Sequence, residues 1–429
     1  MLSVQKHPSL SSLLDRLGIF PPLALGYLGL LVFMTGDGVE SGYLSPYLVG
    51  KGVSQAAVAV IFTAYGVTAA IASWFSGALS DLWGPRRVMW LGLGIWAAFE
   101  VSFLLIGLSS ANWLIIAATY ALRGFGYPLF AFGFLVWIAA AAPPRRLGTG
   151  VGWFWFAFTG GLPTLGSFFA SYSIPVIGPY NTLWCSLGLV VAGGLIALLG
   201  VREPIGSRPL AAENGHALRT LLSGITIAWK EPKILVGCIV RVINTAPQFG
   251  FWVFLPIFFT QTVGFSLTQW LRMLSFMFLS NIIWNLLFGI IGDKFGWRRT
   301  VVVFGGLGSA ATTLLLYYVP HFLGANYYLA MLAAGLYGAT LAGYVPLSAL
   351  MPSLAPRHKG AAMSMLNLGA GASVWAGPAI VALFLVPLGV GGVMWIFSIL
   401  YVLSALMTLF LSLPAEEVTE QSIAEASAG

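Results

Sequence analysis

Twelve runs of about 20 mainly apolar residues follow one another along the chain, the length an α-helix needs to cross a bilayer. They lie near 22–48, 54–80, 87–109, 112–140, 149–172, 181–200, 234–260, 267–291, 299–319, 326–351, 361–386 and 391–413. With 59% hydrophobic and 8% charged residues, a 429-residue chain carries more apolar surface than a water-soluble interior can hide. The expected fold is therefore all-α and membrane-embedded, with 12 transmembrane helices. Frequent Gly and Trp suit close helix packing in lipid and aromatic rings at its interfaces.

The polar residues between the runs set the orientation. If both termini are cytoplasmic, sixteen of the 20 Lys and Arg residues face inward, from Lys6 and Arg16 to Arg357 and Lys359. Lys51 alone faces outward, and Arg123, Arg241 and Arg272 fall within spans. That asymmetry is the positive-inside pattern. The net charge of +7 lies in short loops, which argues for membrane orientation and against nucleic acid as a partner. Cys185 and Cys238 sit inside apolar runs without metal-ligand spacing. No nucleophile, metal cluster or phosphate loop stands out, so neither catalysis nor a cofactor is expected. The first helix reads as an uncleaved anchor.

The segment Gly77-Ala-Leu-Ser-Asp81-Leu-Trp-Gly84-Pro-Arg86-Arg87 returns in outline as Gly289-Ile-Ile-Gly-Asp293-Lys-Phe-Gly296-Trp-Arg298-Arg299, 212 residues on. Pro144-Arg145-Arg-Leu-Gly148 and Pro356-Arg357-His-Lys-Gly360 keep the same offset. Two landmarks in one register indicate a duplicated unit. The expected organisation is a six-helix bundle over residues 1–200, a cytoplasmic loop over 201–233, a second six-helix bundle over 234–413, and an acidic, Ala/Ser-rich tail over 414–429.

Twelve spans, a central loop and the doubled G-x-x-x-D-x-x-G-x-R-R loop resemble the major facilitator superfamily, a family of parallel repeats with nested inverted ones. The first loop copy departs from the usual pattern at Leu82 and Pro85, where basic residues are common. Within that superfamily the chain looks like the polyol permease branch. The likeness rests on Met34-Thr-Gly-Asp37-Gly-Val-Glu40, Arg123-Gly-Phe-Gly-Tyr127-Pro-Leu-Phe, Gly152-Trp-Phe-Trp, Val240-Arg241-Val-Ile-Asn244-Thr and His358-Lys-Gly-Ala-Ala. The resemblance implies import of a linear sugar alcohol, a pentitol such as ribitol or D-arabinitol, by alternating access driven by protons. By analogy it also implies a monomer in the cytoplasmic membrane.

A charge at mid-bilayer costs roughly 2.5–3.5 kcal/mol on insertion scales. Asp37, Glu40, Glu100, Arg123, Arg241 and Arg272 are the charges in spans, and they sum to zero, which favours a neutral ligand. At 1.5 Å per residue, Asp37 lies ~22 Å from the inner end of its helix and Arg123 ~16 Å from the outer end of the fourth. Those depths differ by under ~10 Å, so the two are expected to face each other, with Asp37 as proton carrier. A permanent buried pair that only fixes packing is the structural alternative. Glu40, one turn on, is a second candidate for proton or substrate, and two neighbouring carboxylates would share titration steps. Arg241 is a candidate for substrate contact or gating. Arg272, near the outer end of its helix, is expected to reach for water. Glu100 lies in the third helix, usually peripheral in this fold, and is not expected to touch substrate.

A sugar alcohol needs donors and acceptors in a largely apolar cleft. Asn244 and Gln248 share one face of the seventh helix, Asn281 and Asn285 one face of the eighth, and Asn367 stands in the eleventh. Amides both donate and accept, though they also bond helix to helix in membranes. Tyr127, Trp153 and Tyr344 are the aromatic candidates. In the repeated loops, Asp81 is expected to meet the start of the eleventh helix and Asp293 that of the fifth, latching the inner face shut against positive helix ends. Two other transport classes compete. An organic-anion (dicarboxylate) symporter would use Arg241. A drug/proton antiporter would carry a Gly/Pro motif of which Gly160-Gly161-Leu-Pro163-Thr-Leu-Gly166 is a partial likeness.

Overall fold

Inside lipid no water is present to satisfy a backbone N–H or C=O, so each apolar run must bond within itself and forms a helix. A computed structural model describes residue 14 and residues 19–110, 112–143, 147–210, 231–355 and 359–412. Most of the central loop and the acidic tail lie outside the described residues, as do Arg145, Arg146, Arg357 and His358 of the paired loops.

The first bundle holds α1 (Ala24–Gly38) with its short continuation α2 (Leu44–Gly50), α3 (Gln55–Trp83), α4 (Pro85–Ser102), α5 (Trp113–Arg123) continued by α6 (Gly126–Ala141), α7 (Leu147–Thr159) and α8 (Gly166–Gly200). The second holds α9 (Pro232–Ile257), α10 (Leu267–Phe295), α11 (Trp297–Thr300), α12 (Ser309–Leu323), α13 (Tyr327–Leu341) continued by α14 (Leu347–Leu354), and α15 (Lys359–Leu409). Nine stretches among the described residues are long and apolar enough to span. Two of them, Leu147–Gly200 and Ala362–Leu409, are hairpins that reverse at Gly178 (φ 80°) and Gly389 (φ 67°). The broken pair α1–α2 adds one more crossing, so the described residues make twelve, as the apolar runs require. An even number puts the start of α1 and the end of α15 on one face.

The duplication is visible in the backbone. Gly52 and Gly264 both have φ 92°, and Gly84 and Gly296 have φ 86° and 98°; each pair is 212 residues apart. The last two close α3 and α10 by donating to Ser80 O at 2.9 Å and Gly292 O at 3.0 Å, in a backbone region that glycine enters without penalty. Ser54 and Ser266 cap the starts of the same two helices. The arginines of the loops have diverged. Arg86 donates to the carbonyl of Leu198 and lies 5.8 Å from the Trp137 ring, whereas Arg87 and Arg299 are exposed. Arg298 is half-buried, and Gly77 and Gly289 face open space.

Small residues let the helices touch. A side chain at Gly29 or Gly193 would press on the facing backbone of α8 or α1, and Ser186 Oγ donates to Gly36 O at 2.8 Å across that contact. The Gly160–Leu165 segment is a π-helical turn, and its Leu162 carbonyl occupies the space a side chain at Gly38 would need. The partial antiporter motif thus seats the fifth crossing on the first. In the second bundle Gly338 lies against the carbonyl of Met277 in the same way.

The two bundles meet along α3 and α15, with Gly66 against the Val374 carbonyl and Gly371 against Ala70, and are hydrogen-bonded in the half distant from the loops that follow α3 and α10. Ser45 Oγ donates to Val253 O, Trp270 Nε1 to Gly42 O at 2.8 Å, and Ser275 Oγ to Thr164 O at 2.9 Å. Arg272 is exposed and lies 5.0 Å from the Tyr172 ring of the other bundle.

Gly338→Ala would force α10 and α13 apart. It should lower the stability of the purified protein by about 1–3 kcal/mol, read as a drop in thermal midpoint in detergent; a midpoint equal to that of the unaltered chain would refute this packing.

Candidate functional site

Both helices that carry the expected proton-coupling residues are interrupted where those residues lie. α1 ends at Gly38, and residues 39–43 continue through three-residue turns, with Ser41 N bonded to Gly38 O at 3.2 Å and Tyr43 N to Glu40 O at 3.0 Å. α5 ends at Arg123, and Gly124 N bonds to Ala121 O at 2.9 Å. Irregular backbone at membrane depth persists where protein buries it or a cavity receives it. Here a small cavity between the bundles does so.

Its lining comes from both bundles. Asp37, Glu40, Ser41, Phe62, Tyr65, Tyr120, Tyr127 and Leu162 form one wall; Phe249, Trp252, Val374 and Pro378 form the other. The repeat relates the walls. At an offset of 212 residues, Asp37 corresponds to Phe249, Glu40 to Trp252 and Leu162 to Val374, and all six line the same space. One wall is therefore acidic and phenolic, the other aromatic and aliphatic.

Glu40 ties the acidic wall to a buried ion cluster. Arg123 bonds Glu40 through both terminal nitrogens, at 2.8 Å for Nη1 to Oε2, and its Nη1 also pairs with Glu100. Tyr120 OH donates to Glu40 at 2.7 Å. The guanidinium lies among aromatic faces, 4.6 Å from Tyr120, 4.9 Å from Trp96, 5.4 Å from Tyr65 and 6.0 Å from Phe103, a setting that adds cation–π attraction. Arg123 Nε and Glu100 Oε1 have no partner.

Two expectations are corrected here. Asp37 makes no hydrogen bond to Arg123; it accepts from Trp96 Nε1 at 2.6 Å. Glu40, three residues on and lining the same cavity, takes the arginine instead. Glu100 is not peripheral: it is 0% exposed and is the second counterion of Arg123. It does not line the cavity.

The remaining candidates divide. Tyr127 lines the cavity. Arg241 bonds Asn244 Oδ1, and no carboxylate among the described residues reaches it. Asn244 is buried, and Gln248 is half-buried one turn on. Asn281 Nδ2 donates to Gly338 O at 3.0 Å and Asn285 Nδ2 to Asn281 Oδ1 at 3.2 Å, so this pair joins α10 to α13. Tyr344 bonds Ser404 within the second bundle. Trp153 packs edge-on to the exposed Phe156 at 5.4 Å, and Asn367 is exposed. Asp293 accepts from Trp297 Nε1 at 2.9 Å inside its own loop, and the backbone carbonyl of Asp81 holds Leu210 N at 2.9 Å.

Phe62, Tyr65, Tyr120, Phe249 and Trp252 were not singled out by sequence. The repeat offset applied to Asp37 and Glu40 points to the last two.

A largely apolar chamber with two carboxylates on one wall, shared by two six-helix membrane bundles, is a place where a solute could be held. The comparisons carry the assignment further. A profile described as Major Facilitator Superfamily matches residues 26–283 and 237–428. The chain is 44% identical over 411 residues to an α-ketoglutarate permease of Bacillus subtilis (strain 168), covering 96% of this chain and 93% of the relative. It is 37% identical over 403 residues to a D-arabinitol transporter of Klebsiella pneumoniae, covering 92% and 93%. The crystal structure of the nucleoside transporter NupG superposes with a TM-score of 0.72 at 15% identity, covering 91% of this chain and 99% of that one. The chain belongs to the Major Facilitator Superfamily: it is a multi-pass membrane transporter and not an enzyme.

Arg123→Met would strand two buried carboxylates and should cost about 3–5 kcal/mol. Adding Glu40→Gln and Glu100→Gln should restore most of that loss. Denaturation midpoints of the single and triple variants check it; equal midpoints would mean that the cluster is not a coupled unit.

Proposed function

We propose that this chain imports a pentitol such as ribitol or D-arabinitol together with protons, by alternating access across the cytoplasmic membrane, with both termini inside. The observation that carries the reading is the two-sided cavity. Carboxylates and phenols on one wall can accept from and donate to a row of hydroxyls, while Phe249 and Trp252 on the other offer faces to C–H groups. No Lys or Arg is among the lining residues. An anionic solute would meet Asp37 and Glu40, and like charges about 4 Å apart repel by roughly 4 kcal/mol at an effective dielectric constant of 20. A neutral solute avoids that cost. The D-arabinitol transporter among the relatives supports the same substrate class.

In this reading Asp37 carries the proton. It lines the cavity and is hydrogen-bonded by a neutral indole, whereas Glu40 is committed to Arg123. A protonated Asp37 relieves an uncompensated charge in a poorly solvated chamber and gains an O–H that a solute oxygen can accept. The seal opposite the termini belongs to the arrangement that faces inward, and the Asp81 and Asp293 latches belong to the opposite one.

A second reading is import of an oxo-dicarboxylate. Two observations favour it: Arg241 has no carboxylate partner among the described residues, and the Bacillus subtilis relative bears the name α-ketoglutarate permease.

Proteoliposomes under an imposed pH gradient should accumulate ribitol or D-arabinitol. Accumulation of α-ketoglutarate alone would discard the polyol reading in favour of the second. Asp37→Asn should abolish accumulation above the external concentration while solute exchange at equal concentrations continues. Full gradient-driven accumulation by that variant would remove Asp37 as the proton carrier.

A further inference from the structure

Helix α4 meets both members of the expected proton-coupling pair, and it meets them separately. Trp96 and Glu100 stand one turn apart on one face of α4. Trp96 Nε1 donates to Asp37 at 2.6 Å, and Glu100 pairs with Arg123. The Trp96 ring centroid also lies 4.9 Å from Arg123 Cζ, so one indole touches both the acid and the cation. α4 is fixed where it does this. A side chain at Gly92 would strike the backbone of α6 at Gly126 and Phe130, and one at Gly126 would strike that of α4 at Trp96. The set belongs to the first bundle alone: at the repeat offset, Asp37, Trp96, Glu100 and Arg123 correspond to Phe249, Gly308, Thr312 and Gly335. The second bundle folds without a counterpart of any of them, so packing of the frame does not demand the set.

We propose that Glu100 is a positioning residue for proton coupling: from a fixed helix it holds Arg123 on Glu40 and off Asp37, which leaves Asp37 free to take up and release a proton. This rests on the reading of Asp37 as the proton carrier and not on which solute is carried. The ionisable groups about Asp37 are Glu40 beside it in the chain, Tyr65 of α3, Glu100 of α4, Tyr120 and Arg123 of α5 and Tyr127 of α6. Of these Arg123 alone is cationic. A guanidinium that closes on a carboxylate favours its ionised form by about 1–3 pH units, so an Asp37 paired with Arg123 would stay ionised at the pH that should load it. Arg123 has two carboxylate partners, and they differ in one respect. Glu40 borders the chamber, where a solute can compete for it; Glu100 does not, so its hold on Arg123 is independent of cargo.

The test is gradient-driven uptake into proteoliposomes as a function of external pH, with ribitol, D-arabinitol and α-ketoglutarate offered and the profile read for the solute that accumulates. Glu100→Gln keeps the shape of the side chain and removes its charge. The pH of half-maximal uptake should fall by about one unit, the lower end of what a neighbouring opposite charge does to a carboxyl. Glu100→Asp draws the carboxylate back by one methylene and should give a smaller fall in the same direction. Either variant decides alone if the other does not fold: a half-maximal pH that is unchanged or raised would overturn the assignment. In an Asp37→Asn background, solute exchange at equal concentrations should have the same pH dependence whether position 100 is Glu or Gln. A shift of about one unit there would mean that Glu100 acts on some other group, and would overturn it too. Full gradient-driven accumulation by Asp37→Asn alone would instead remove the proton carrier itself, and that failure is read with Glu100 unaltered.

Discussion

A guanidinium with no exposed surface, deep in the first bundle, is the constraint from which the rest of the site follows. Arg123 is tolerable there because Glu40 and Glu100 neutralise it and aromatic rings surround it. Glu40 follows the end of α1 at Gly38, and Arg123 stands where α5 gives way to α6. Those junctions give the chamber irregular walls, and the hydrogen bond that Asp37 accepts comes from Trp96 rather than from the cation.

The scaffold is symmetric and the chemistry is not. Turn glycines, helix caps and the aliphatic pair Leu162 and Val374 recur at one offset, while Asp37 and Glu40 face the aromatic rings that replaced or preceded them in the other half. A duplicated frame can hold one charged wall because the desolvation cost falls on a single bundle. Two such walls would set like charges against each other across a narrow space.

Much of this was legible in the residues. Apolar run length fixed the number of crossings, and the doubled loop located the duplication that Gly84 and Gly296 display in their backbone angles. Asp37, Glu40 and Tyr127 reach the cavity because polar groups inside spans are expensive unless something uses them. What misled was the helix face. Asn281 and Asn285 do share a side of α10, but an i, i+4 spacing does not say whether that side meets the chamber or α13. The aromatic lining was hidden for a related reason. Among 30 Phe and 16 Trp, no spacing marks the few that border a cavity; bundle packing decides it. Glu100 was missed because its role depends on an arginine 23 residues later, across a turn between two crossings.

The seal between the bundles is built from hydroxyl and indole groups that give their hydrogens to main-chain carbonyls of Gly42, Thr164 and Val253. Every chain position has such a carbonyl, so the acceptors tolerate substitution, and none of the three bonds involves an ion. Parting them transfers no charge along the membrane normal. The electrical potential across the bilayer therefore exerts no direct pull on these bonds, and their sensitivity to voltage should be small compared with that of a gate made of ion pairs.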